Sequence, residues 1–196
     1  GMGQQVNQNL AQQGAMQQAL QQMVMDQAQG KFNAYEKIDG HMIEFFENEN
    51  ELCATTRGKF NTPSAREALS LIKRKEWNQC KTFLKKAHGI DLMTIVAELV
   101  TPSSKVLVDY DNREEVYILA AYDSLGSKIS YNLMKNICSF ISNSNLPKVR
   151  TFTVKKMIKE IRRRDVDNHE GWVMDLDGTL LKFKYNNYIG MMVNSK

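Results

Sequence analysis

A lysine attacks an electrophile only as a neutral amine, so a catalytic lysine needs neighbours that loosen its proton. Lys37 stands in Lys37-Ile38-Asp39-Gly40, where the glycine would let the chain turn closely beside a ligand. Glu98 lies late in the apolar run Leu92–Val100, Glu170 precedes Gly171-Trp172-Val173, and Lys182 and Lys184 alternate near the end of the chain. Two lysines two residues apart on a strand share a face. There they would lower the pKa of a nearby amine and hold a phosphate as charge builds on it. Carboxylates such as Glu98 and Glu170 suit a hard divalent cation, Mg²⁺. Together these types could carry attack of an amine on phosphorus. Singly each has a plainer reading: Lys37 as a solvated turn lysine, Glu98 as a strand-edge acid, Lys182 and Lys184 as one exposed strand face.

A second short pattern competes for the same region. Gly171 through Thr179, with Asp175 and Asp177, resembles the first motif of haloacid dehalogenase-type phosphatases, in which a strand delivers two aspartates to Mg²⁺ and phosphate. That motif opens its domain, whereas 17 residues follow Thr179 here, too few for the parallel sheet that fold needs. The plainer reading is a strand, a turn at Asp177-Gly178, and a strand.

The elements that must position these residues follow from local pattern. His41–Phe46 and Glu51–Thr56 read as strands of a hairpin around Asn48-Glu49-Asn50. Thr62-Pro63-Ser64 opens a helix, with Ser64 and Glu67 at capping-box spacing and Leu69, Leu71 and Ile72 toward the core. A second helix spans Trp77–Ala87 and ends at Gly89. Leu92–Val100, Lys105–Tyr110 and Val116–Tyr122 are rich in β-branched and apolar residues and are predicted as strands. Helices follow at Ser130–Ser142 and Val154–Arg164, then a hairpin of Gly171–Met174 and Thr179–Lys184. Antiparallel strand pairs interleaved with helices make an α+β fold.

In order, the chemistry-bearing residues are Lys-x-x-Gly, an acid on a central strand, Glu-Gly, and Lys-x-Lys. This order resembles the covalent nucleotidyltransferases. Three stretches narrow the resemblance to phage-type ATP-dependent RNA ligases, in their RNA ligase 1-like branch. They are Ala54 through Phe60, Glu98 through Tyr110, and Glu170 through Tyr188. The likeness covers Lys31–Met191, and Lys31-Phe32-Asn33 resembles the family's Lys-Phe-Phe-Asn stretch. It implies an ATP-grasp-like ligase adenylation domain of antiparallel sheets flanked by helices. It implies that Lys37 takes AMP from ATP, with Lys182 and Lys184 as catalytic cations. It places Glu36, Asp39, Gly40, Arg57 and Val173 at the nucleotide, Asp39 at the ribose or beside Lys37. Glu98 and Glu170 would bind the nucleotide and hold Mg²⁺. AMP would then pass to an RNA 5′-phosphate and be displaced by a 3′-hydroxyl.

Departures from that family shape a second expectation. Only 36 residues precede Lys37, where the family carries a longer segment with an Arg-Gly motif, and only 12 follow Lys184, so no C-terminal RNA-recognition domain is expected. Arg57 stands where the family usually has lysine, keeping charge but not shape. A catalytically reduced nucleotide- or RNA-binding module is therefore the alternative.

Composition sets the frame. The chain has 196 residues and a formal net charge of +4. Residues 1–30 hold eleven glutamines and one charged group, Asp26, and read as a helical or disordered arm that could join copies of the chain. Residues 31–196 read as the nucleotidyltransferase domain. Gly1 looks like an expression scar. Basic runs at Lys73–Lys75, Lys85-Lys86 and Lys155–Arg164 suit solvated helix faces or a phosphate-binding surface. No apolar run approaches the ~20 residues that cross a bilayer. Asn7 weakens any myristoylation signal. Three cysteines, Cys53, Cys80 and Cys138, match no metal or disulfide spacing and suit a reducing cytoplasm.

Overall fold

The structure, a computed structural model, describes residues 30–176 and 179–195. The Gln-rich arm up to residue 29, and Asp177-Gly178 at the last bend, lie outside the described residues. Two sheets organise the rest. β1 (Phe32–Lys37), β8 (Val149–Phe152), β9 (Gly171–Leu176) and β10 (Thr179–Lys184) form a small antiparallel sheet in the order β10-β9-β1-β8. β2 (His41–Asn48), β3 (Glu51–Thr56), β4 (Lys59–Phe60), β5 (Leu92–Val100), β6 (Glu115–Asp123) and β7 (Ser144–Asn145) form a larger one in the order β4-β3-β2-β5-β6-β7. Only the short β6–β7 pair is parallel. The phosphatase reading fails here, since β9 runs antiparallel to both of its neighbours.

The large sheet is amphipathic. Ile43 and Phe45 of β2, Ile95, Ala97 and Leu99 of β5, and Val116 and Ile118 of β6 are fully buried on one face. Against them pack α1 (Pro63–Leu71), α2 (Arg74–His88) and α3 (Tyr131–Phe140) through Ala65, Ala68, Trp77, Cys80, Leu84 and Ile137. On the other face the register sets Met42, Glu98 and Tyr117 side by side across β2, β5 and β6. The β2–β3 hairpin turns at Glu49 and Asn50, both with positive φ (47° and 63°), the handedness that matches strand twist.

The small sheet buries one face as well. Ala34, Phe152, Trp172, Met174 and Phe183 pack with Met157 of α4 (Val154–Ile161). Trp172 Nε1 donates to the Tyr185 hydroxyl at 2.9 Å, and that hydroxyl donates to Glu160 at 2.9 Å. The chain closes with α5 (Asn186–Asn194). Among the described residues no helix is long and apolar enough to cross a membrane.

Three local expectations are corrected. Lys105–Tyr110 is not a strand: after a short 3₁₀ turn at Pro102–Ser104 its amides leave the ladder, and those of Leu107 and Val108 donate to Asp39 Oδ2 at 2.9 and 2.8 Å. Thr62, not Ser64, caps α1, accepting from the Ala65 amide at 3.2 Å, while Glu67 accepts from the Ser103 hydroxyl at 2.6 Å. α4 stops at Ile161, short of Arg162–Arg164.

Candidate active site

Strand register brings the distant motifs together. Lys37 lies opposite Gly171, and Gly171 opposite Lys184; one step along, Tyr35 lies opposite Val173, and Val173 opposite Lys182. Alternation puts all six on the face of the small sheet that the core does not cover. Gly171 must be glycine, because a Cβ there would overlap the Phe183 carbonyl oxygen. Glu170, just before it, is 4% exposed. Its Oε1 receives Lys37 Nζ at 2.9 Å and Lys184 Nζ at 3.3 Å. Lys182 is exposed farther along the same face. Lys184 also lies over the Tyr188 ring, 5.4 Å from its centroid.

Ile38-Asp39-Gly40 carries the chain from the small sheet to the large one. Ile38 anchors the crossing, buried with Val100 and Tyr117. A side chain on Gly40 would collide with the Leu99 carbonyl, so only glycine lets β2 start this close to β5. The Gly40 amide donates to Glu98 Oε1 at 3.2 Å. Burial pushes the Glu98 carboxyl up to about 7; Lys37 and the Gly40 N–H oppose the shift, and the charges of Glu170 and Asp39 add to it.

That donor set fits a divalent cation. Glu98 and Glu170 bring two poorly solvated carboxylates into mutual influence, and a cation would relieve their repulsion. Among the described residues no three Asp, Glu, His or Cys side chains gather to hold a metal. Two carboxylates completed by water and phosphate oxygens are the usual setting of Mg²⁺ rather than of a full protein cage.

The other residues singled out in the sequence differ in the way they face. The Asp39 carboxylate is turned inward and fully engaged: Oδ2 takes the Leu107 and Val108 amides, and Oδ1 takes the Tyr188 hydroxyl at 2.8 Å. Its own amide donates to the Tyr110 hydroxyl at 2.8 Å. Asp39 thus holds the crossing behind Lys37. Glu36 alternates to the opposite face from Lys37, where Oε1 lies 3.3 Å from His169 Nδ1. Arg57 is exposed in the β3–β4 turn, beside Gly58 with φ 76°. Val173 is half-buried on the face of Lys37.

Sequence reasoning gave no role to Tyr110, Tyr188, Tyr35 or Tyr131. The first two stood inside the matched stretches, and their hydroxyls fix Asp39. Tyr35, two residues before Lys37, meets Tyr131 of α3 with ring centroids 5.7 Å apart, and Lys128 approaches Asp175 at 4.0 Å. These contacts join the small sheet to the helical layer of the large one.

Two largely antiparallel sheets linked by a lysine-bearing crossover, with acids and lysines from distant strands around it, define a nucleotidyltransferase fold. The chain belongs to the phage-type RNA ligase family: the family model described as RNA ligase matches residues 11–188. Solved structures of an RNA ligase from Naegleria gruberi share the fold. A variant with ATP and Mn aligns with a TM-score of 0.59 at 15% identity, covering 82% of this chain and 51% of that one. A second variant, with AMP and Mn, gives 0.62 at 14% identity, covering 86% and 54%. The form with PPi gives 0.60 at 15%, covering 84% and 52%. This chain thus spans about half the length of that ligase. No curated protein sequence matches the chain.

Proposed function

We propose that the chain is the adenylation unit of an ATP-dependent RNA ligase, with Lys37 as the nucleotide acceptor. The observation that carries this reading is the meeting of Lys37 and Lys184, aligned across Gly171 in one cross-strand row, on the Glu170 carboxylate, with the Glu98 carboxylate bonded to the turn three residues after Lys37.

Glu98 and Glu170 would hold Mg²⁺, which supplies charge stabilisation at the phosphates when bound. Glu170 Oε1, 2.9 Å from the amine, stands ready to take its proton. Lys37 Nζ attacks the α-phosphorus of ATP; an N–P bond forms, the bridging P–O bond breaks and pyrophosphate leaves. Lys184 and Lys182, on the same face, hold the charge that gathers on the α-phosphate. Val173 lies flat beneath the nucleotide. AMP next moves to an RNA 5′-phosphate as the N–P bond breaks, and a 3′-hydroxyl displaces it to form the phosphodiester. Residues 31–196 are assigned to the catalytic unit, and residues 1–30 to contacts between copies of the chain. The protein acts in the cytoplasm.

The test is incubation with ATP labelled at the α-phosphate and Mg²⁺. Covalent label that disappears in Lys37→Ala supports the reading; absent label, or label that survives the substitution, defeats it. A second reading draws on Arg57, exposed in the β3–β4 turn: a reduced module that binds ATP or RNA without forming the adduct. Saturable binding with no label would favour it, and joining of 5′-phosphorylated RNA would exclude it.

A further inference from the structure

The outer side of the helical layer carries a groove that the adenylation chemistry does not use. It measures 720 Å³ and is lined by Arg74, Lys75, Asn78, Gln79, Lys86 and Phe83, with Phe140 of α3 as its far wall. α2 turns Glu76, Trp77, Cys80 and Leu84 into the core, so Lys75, Gln79 and Lys86 stand on its opposite side. Glu98 faces the other side of the large sheet, so sheet and helix separate the groove from Lys37.

The lining is selective in its chemistry. Three cations, two amides and a hydroxyl border it with no acidic residue, while the surface turned into it is mostly apolar. Arg74 is bridged to Glu51 at 3.2 Å, whereas Lys75 and Lys86 form no ion pair among the described residues. Their helical separation of eleven residues corresponds to roughly 16 Å, room for more than one phosphate between them. Phe83 and Phe140 lie 5.4 Å apart, both half-buried, with the His88 ring edge-on to Phe83 at 5.5 Å, and set aromatic surface beside the cations. Cations alternating with aromatic surface are what single-stranded nucleic acid needs, phosphates meeting lysines and a base meeting a ring. The chain's own Gln-rich arm has a single charged residue, Asp26, and so lacks the matching charge.

We propose that this α2–α3 groove binds single-stranded RNA, gripping a stretch of the strand away from its reacting end. The proposal rests on the ligase reading for the choice of RNA, but not on Lys37 for its test. The groove adds affinity without taking part in chemistry.

The experiment is fluorescence anisotropy with a labelled single-stranded RNA of about 24 nucleotides, titrated at several salt concentrations. Lys75→Gln/Lys86→Gln is expected to weaken binding about five- to ten-fold at low salt and to make the salt slope shallower by about 1.4. Lys75→Arg/Lys86→Arg keeps wild-type affinity. Phe83→Leu, which retains an apolar side chain, lowers affinity with the slope unchanged. The control is Lys155→Gln/Lys159→Gln on the exposed side of α4. An equal loss there means that binding is diffuse over a basic surface, and the proposal falls. It also falls if the groove variant binds RNA as the wild type does, including where light scattering shows the groove joining copies of the chain. Labelled-adduct formation is measured on the same samples. Adduct without groove-dependent RNA binding sinks the groove alone; groove-dependent binding without adduct sinks the ligase reading alone.

Discussion

Lys37 and Lys184 share one acceptor, Glu170 Oε1, at 2.9 and 3.3 Å, although they sit 147 positions apart in sequence. The pairing gives both lysines one carboxylate partner. It also means that the Lys37 amine is held beside a carboxylate and a second cation at once. Glu170→Gln keeps the shape and removes the acceptor charge. We expect initial adduct formation to fall by about 10²-fold or more, the scale of a lost acid–base group. A rate within two-fold of wild type, read from label incorporation, would show that Glu170 merely packs the site.

Asp39 makes a separate prediction, on stability. Its two oxygens satisfy two backbone amides and a tyrosine hydroxyl, and the residue is 5% exposed. Asp39→Asn puts an amide donor where one of these donors points, so a buried group loses its partner. The expected cost is about 2–3 kcal/mol, against about 1 kcal/mol for Tyr188→Phe, which deletes a single bond. Urea unfolding midpoints check both; equal, small losses would show that the 107–108 loop does not depend on Asp39.

The same residue explains where sequence reading succeeds and where it stops. β5 and β10 have the predicted bounds because their apolar and β-branched pattern is local and unbroken. Val106, Leu107 and Val108 carry the same pattern, yet the amides of Leu107 and Val108 donate to a side chain 68 and 69 residues earlier, which no window reveals. β1 was not predicted as a strand: Asn33, Glu36 and Lys37 disfavour one, and it exists because β8 and β9 flank it on both sides. Of the residues the ordered motifs pointed to, strand register aligns Lys37 and Lys184 beside the start of β9, where both meet Glu170, and the Gly40 amide reaches Glu98. Spacing could not say that Glu36 alternates away from Lys37, nor that Asp39 turns inward, because both depend on how the strand ends.

Two glycines separate steric need from propensity. Gly40→Ala would drive a methyl into the Leu99 carbonyl and force β2 from β5, at an expected cost of about 2 kcal/mol or more. Gly190 lies in α5 with nothing near its absent Cβ, so Gly190→Ala should stabilise by up to about 1 kcal/mol. Thermal midpoints moving in opposite directions are the expected result. A neutral Gly40→Ala would mean that the crossover is looser than this contact implies.

Glu98 gives the pH dependence. Its carboxyl is raised from an ordinary 4.5 to about 7, chiefly by burial, so the folded chain holds this proton more tightly than the unfolded chain does. Stability from this group is therefore full below the ordinary glutamate value and is lost as pH rises toward and through about 7. Glu98→Gln removes the titration while leaving an acceptor for the Gly40 amide. Near pH 4 the two proteins should be close in stability. By pH 8 the variant should have gained about 3 kcal/mol relative to wild type, the free energy of the full displacement. The measurement is the difference between their urea unfolding free energies across that range. A difference that stays flat would place the Glu98 carboxylate in a well-solvated cleft, and burial would then no longer account for how it meets a cation.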